Sequence, residues 1–131
     1  MAIPVLVVDD SSVSRKMLIK ALPPGWDVNI SQASNGVEAL EAYHAGKGEV
    51  IFLDLTMPVM DGYEATRRIR ALPGGRSVKI VALTASAFQE DRGAIFSAGC
   101  DEVVVKPQEP DVLLALMADL LGVRYRYADS P

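Results

Sequence analysis

The chain has 131 residues, half of them hydrophobic, and a formal net charge of −4. That length and apolar content suit one domain with a core of its own, and the single cysteine, Cys100, excludes an internal disulfide or a cysteine-based metal site. The acidic balance argues against nucleic acid as a direct ligand, and no apolar run approaches the ~20 residues of a membrane span.

The elements alternate from the start. Residues 3–8, IPVLVV, are a continuous apolar run, as for a strand buried on both faces. The run is too short for a signal peptide and meets Asp9-Asp10 at once, so a reducing cytoplasm is the expected compartment. Ser11 or Ser12 caps a helix through about residue 22, with Val13, Met17, Leu18 and Leu22 at helical spacing, and Pro23-Pro24-Gly25 stops it. Residues 28–33 read as a more polar edge strand. Asn35 caps a second helix with Val37, Leu40 and Ala42 inward, ended by Gly46 and Gly48. Residues 50–53 are a third strand, closed by Asp54. Pro58 and Gly62 mark a loop, and a helix follows over about 61–72. Strand four covers 78–83, helix four about 87–98 with Gly99 as its stop, strand five 102–105, and a last helix about 110–121. This (βα)₅ order predicts an α/β fold: a parallel sheet with right-handed crossovers and helices on both faces, a three-layer sandwich. Residues 1–122 are expected to be the domain and 123–131 a short tail.

Polar residues stand where four of the apolar strands end. Asp9 and Asp10 follow the first, Asp54 the third, Thr84 the fourth and Lys106 the fifth. In an open parallel sheet, functional groups collect at the carboxyl ends of strands, so these residues are expected to converge. Gathered carboxylates repel, and a hard divalent ion with oxygen ligands relieves this; Mg²⁺ suits, because it takes few carboxylates and keeps positions for a phosphate oxygen. Lys106 supplies a charge for a phosphoryl oxygen or for Asp54, Thr84 a hydroxyl donor, and Asp54 a carboxylate nucleophile able to form an acyl phosphate. Each residue alone has a plainer reading: Asp and Thr cap helices and close turns, and Lys106 before Pro107 can face solvent. One member at each of four strand ends favours the shared site.

VLVVDDS, FLDLTMPVMDGYEATRRIR, IVALTAS and VVVKP together resemble the receiver domain of two-component response regulators, over about residues 3–121. The resemblance implies a flavodoxin-like sheet ordered 2-1-3-4-5. It implies Asp54 as phosphoacceptor, Asp10, Asp54 and the backbone carbonyl of Thr56 as direct Mg²⁺ ligands, with Asp9 acting close by. It further implies Thr84 as the switch hydroxyl and Lys106 as the phosphate-pairing lysine, with Lys106-Pro107 a candidate cis peptide. The implied partners are a histidine kinase or histidine phosphotransfer protein as phosphodonor, and a downstream protein bound through the fourth helix, fifth strand and fifth helix. No direct nucleic-acid partner and no membrane partner is expected, and the chain is expected as a monomer or weak dimer. It departs from the family at Val103, where an aromatic ring is usual three residues before the lysine.

Three other functions fit less well. An aspartate phosphohydrolase of the haloacid dehalogenase type wants a second Asp at position 56, which is Thr here. A flavodoxin wants an uncharged phosphate loop where Asp9-Asp10 stands. A degenerate receiver lacks site residues that are present here. Among the rest, His44 suits the end of a helix, Cys100 a packed position, Trp26 a loop anchor, and Arg67, Arg68 and Arg70 a solvated helix face with a Glu64–Arg68 pair.

Overall fold

The computed structural model describes residues 3–22, 27–57, 59–85, 92–106, 115, 116 and 119. Five parallel strands, β1 (Ile3–Val8), β2 (Val28–Ala33), β3 (Val50–Asp54), β4 (Lys79–Thr84) and β5 (Glu102–Val105), form one sheet in the order β2-β1-β3-β4-β5. The helices between them are α1 (Ser12–Ala21), α2 (Gly36–His44), α3 (Gly62–Ala71) and α4 (Arg92–Ala98). Expectations for Trp26, Pro58, the start of the fourth helix, the Pro107 peptide bond and the tail lie outside the described residues. Of the last helix, Ala115, Leu116 and Asp119 are described, and they are helical.

Strand residues alternate between two cores because successive side chains point to opposite faces. Leu6, Val8, Ile51, Leu53, Ile80 and Ala82 pack under α2, α3 and α4 with Ala39, Ala65, Ile69 and Ile95. Val5, Val7, Val50, Phe52, Val81 and Leu83 pack on the other face with Leu18 and Ala21 of α1, its C-cap Leu22, and Leu116. The three-layer α/β sandwich is thus observed.

Two helix readings need correction. Val13 and Met17 are 65% and 52% exposed, while Leu18, Ala21 and Leu22 are buried. The buried positions of α1 thus fall in its last turns. Val37 of α2 is also exposed, and the buried positions are Gly36 and Ala39. Gly36 sets that rotation: a Cβ there would stand 2.8 Å from Met60 Cβ, so α2 approaches the loop after β3 through its smallest residue.

Candidate phosphoacceptor site

The four strand ends meet. Asp9 extends the β1–β2 ladder, its N–H donating to the Ala33 carbonyl at 3.1 Å, and Ser11 caps α1 by accepting from the Ser14 N–H. The chain must therefore turn sharply at Asp9-Asp10, which leaves Asp9 buried and Asp10 exposed. Arg15, one turn into α1, donates to the Asp9 carbonyl at 2.6 Å and to Gln32 Oε1 at 2.9 Å, tying the turn to β2. Asp54 is the last residue of β3, and the ladder to β4 continues past it through the Leu55 N–H to the Leu83 carbonyl. The loop then returns tightly. A Cβ at Gly62 would lie 2.4 Å from the Asp54 carbonyl oxygen, so only glycine starts α3 there, after Asp61 has capped it through the Glu64 N–H.

Carboxylate oxygens of Asp9, Asp10 and Asp54 lie within 4.8 Å of one another. Lys106 reaches them from the end of β5, held by its own N–H on the Thr84 carbonyl at 2.8 Å. Its ammonium is 2.6 Å from Asp9 Oδ2 and 3.7 Å from Asp54 Oδ1. Thr84 closes β4 and is buried. Thr56 is exposed, and its N–H donates to Asp54 Oδ1 at 3.2 Å. All the residues singled out by sequence for the site therefore share one end of the sheet.

Ionisation follows the lysine. Burial opposes charge on Asp9, but hydrogen bonds from Lys106, the Ser11 N–H and Ser14 outweigh it and hold its carboxyl below the usual range. Asp54 is pushed up to about 6, first by burial and then by the negative charge of Asp9, against the pull of Lys106 and the Thr56 N–H. Among the described residues, three carboxylates face one ammonium, and the candidate ligand atoms are all oxygen. That set fits a hard divalent ion, since the excess negative charge is what such an ion removes.

The chain belongs to the response regulator receiver domain family, whose profile matches residues 5–118. It is 35% identical over 117 residues to the chemotaxis protein CheY of Halobacterium salinarum, covering 88% of this chain and 95% of that one. The receiver domain of a sensor histidine kinase from Pseudomonas aeruginosa, solved with magnesium coordinated in its active-site cleft, superposes with a TM-score of 0.79 at 32% identity, covering 93% of this chain and 99% of that one. The receiver domain of Saccharomyces cerevisiae Ssk1, solved with the histidine phosphotransfer protein Ypd1, gives 0.76 at 31% identity, covering 92% and 87%. Several other curated relatives are much longer, and the chain spans only 7% to 32% of them.

Sequence reasoning missed two residues. Arg15 carries no motif signal, since its target is a backbone carbonyl. Arg70 was grouped with the solvated arginines, yet its side chain is only 17% exposed and binds across the domain. The Glu64–Arg68 pair is present at 2.8 Å. Cys100 is packed as expected, with burial pushing its thiol up.

Proposed function

We propose that Asp54 accepts a phosphoryl group from a phosphohistidine in a Mg²⁺-dependent reaction, and that the modified chain signals to a protein partner. The observation that carries this reading is a buried carboxylate nucleophile set among two further carboxylates and a lysine. With its pKa near 6, Asp54 is mostly ionised at neutral pH yet poorly solvated, a poised nucleophile. An Asp54 oxygen forms the bond to phosphorus as the N–P bond breaks, and the imidazole leaves with the electron pair. Asp10, Asp54 and the Thr56 carbonyl would hold Mg²⁺, with Asp9 nearby, and the ion would supply neutralisation of charge on the phosphoryl oxygens. Lys106 and Thr84 hold those oxygens by their ammonium and hydroxyl. Water later hydrolyses the acyl phosphate, which makes the switch self-resetting.

The donor in this reading is a histidine kinase or a histidine phosphotransfer protein; the sensor-kinase receiver and the Ssk1–Ypd1 complex support it. The downstream partner binds the face of α4, β5 and the helix that follows, where Phe96 and Val105 are exposed. We take residues 1–122 as the receiver unit and 123–131 as its tail. No helix among the described residues is long and apolar enough to cross a membrane.

Mass spectrometry after incubation with acetyl phosphate tests the chemistry. Wild type should gain one phosphoryl group, and both Asp54→Asn and chelation of Mg²⁺ should abolish the gain; labelling that survives either change contradicts the assignment. Relay is tested with beryllofluoride, a phosphoryl mimic. Val103 is too short and too stiff to swing as a ring does. Amide shifts should therefore move at Thr84, Ala85 and residues 103–106 through the backbone. Shifts confined to Asp9, Asp10 and Asp54 would mean binding without relay.

A further inference from the structure

Asp10 is the exposed member of the carboxylate cluster, and its side chain has no hydrogen bond among the described residues. Its direction is therefore set by the backbone that carries it. The peptide joining Asp9 to Asp10 is planar, so the Asp9 carbonyl oxygen and the Asp10 Cα belong to one rigid unit. Whatever holds that oxygen also holds the base from which the Asp10 carboxylate projects. Arg15 holds it, with Nη1 2.6 Å away. The guanidinium is itself aimed, because its Nε donates to Gln32 Oε1 at 2.9 Å. Gln32 precedes Ala33, whose carbonyl accepts the Asp9 N–H at 3.1 Å. Both polar backbone groups of Asp9 are thus tied to β2, one directly and one through Arg15 and Gln32. The tie uses two edges of a planar fork, which an ammonium cannot reproduce.

We infer that Arg15 is a positioning residue for Asp10: by fixing the Asp9–Asp10 peptide it presets one ligand of the divalent cation, and Gln32 acts through it. This rests on the metal reading proposed above. The sign of the effect separates positioning from electrostatics. Arg15 is a cation beside an acidic cluster, so its charge alone opposes a bound cation, and removing that charge would tighten binding. Removing a group that orients a ligand weakens binding instead.

The test is a Mg²⁺ titration by calorimetry of the full chain and of Arg15→Met, Arg15→Lys, Gln32→Leu and the double variant Arg15→Met with Gln32→Leu. Lys16→Met, which removes an exposed charge from the next position of α1, is the control. Urea unfolding fixes conditions in which each variant is folded. Arg15→Met should bind about tenfold weaker. Arg15→Lys should recover part of that loss, and Gln32→Leu should show a smaller one. The double variant should bind no more weakly than Arg15→Met, because Gln32 has nothing left to act through. Lys16→Met should stay within about twofold of wild type, as a screened surface charge does. Without metal, the carbonyl ¹³C resonance of Asp9 should move in Arg15→Met and return part-way in Arg15→Lys. Unchanged or tighter binding in Arg15→Met overturns the inference, as does an equal loss in Lys16→Met. If Arg15→Met fails to fold, Arg15→Lys and Gln32→Leu decide, and wild-type affinity in both overturns it. Wild type that binds no Mg²⁺ overturns the metal reading and this inference with it, whereas wild type that binds while Arg15 has no influence overturns this inference alone.

Discussion

Two ionic networks lie at opposite ends of the sheet, and they differ in how completely their charges are answered. At the amino ends of β4 and β5, Arg70 donates to the Gly99 carbonyl from Nε and Nη2, to the Gly75 and Val78 carbonyls from Nη1, and to Asp101 Oδ2 from Nη2. Asp101 Oδ2 also accepts from the Ile80 N–H at 2.8 Å. One cation meets one anion, and the remaining fork hydrogens meet carbonyls that end a helix or lead into a strand. At the carboxyl ends, the described residues set one lysine, which bridges Asp9 and Asp54, against three carboxylates. Both networks are half-buried clusters of Asp with Arg or Lys. The satisfied one has no chemistry left to offer and serves as a clasp. The unsatisfied one stores repulsion that a divalent cation relieves. Burial of charge does not by itself mark a functional site; incomplete neutralisation does.

The largest effect that separates the two ends is on stability. Arg70→Ala leaves Asp101 without its counter-ion and the Gly75, Val78 and Gly99 carbonyls without their guanidinium donor, and should cost about 2–4 kcal/mol. Arg70→Lys should recover only part of that loss, because an ammonium cannot reproduce the planar fork. Urea unfolding measures the cost, and Mg²⁺ affinity of the folded variant should stay within twofold of wild type. A stable Arg70→Ala, or one with altered Mg²⁺ affinity, would break the contrast.

At the site, removing a charge should have the opposite sign. The Asp54 pKa is raised in the folded chain, so its contribution to stability is fully present below about pH 4 and is lost as pH rises through about 6. Asp54→Asn should then be more stable than wild type at pH 7, by about 1–3 kcal/mol, with the difference fading toward pH 4. Asp9 runs the other way: its lowered pKa gives stability above the ordinary carboxylate range that is lost as pH falls. Asp9→Asn should therefore destabilise at pH 7. Thermal melts of both variants from pH 4 to 8 check the pair, and Mg²⁺ should raise the wild-type midpoint while leaving Asp54→Asn less affected.

The strands, the helices on both faces and the convergence of Asp9, Asp10, Asp54, Thr84 and Lys106 were legible in the sequence, because apolar runs of strand length end at those residues; the strand order came from the family resemblance alone. Less legible was whatever depends on one helix's rotation. Val13 and Met17 satisfy helical spacing but face outward, since spacing does not say which of two overlapping stripes meets the sheet. Arg70 was indistinguishable from Arg67 and Arg68 in sequence; only the turn through Gly74 and Gly75 brings carbonyls to it. The unequal sharing of Lys106 between Asp9 and Asp54 is a matter of about one ångström, which no motif encodes.

The smallest expected effect sharpens the contrast in the backbone. Around the Arg70 clasp and the end of α2, the left-handed positions are glycines: Gly46, Gly74 and Gly99. Beside the site, the left-handed position is Val59, at φ 70° and 85% exposed. For a residue with a Cβ, and more so a β-branched one, that conformation costs about 1–2 kcal/mol. Glycine removes the strain but brings about 0.5–1 kcal/mol of extra chain entropy on unfolding. Val59→Gly should therefore stabilise the chain by only about 0.5–1 kcal/mol. Asn, which tolerates this region better than valine, should fall between the two. Because Val59 is exposed, little lost packing offsets the gain. A Val59→Gly variant less stable than wild type in urea would show that the valine side chain makes a contact that outweighs the strain, and the loop after β3 would then be as well satisfied as the clasp at the other end.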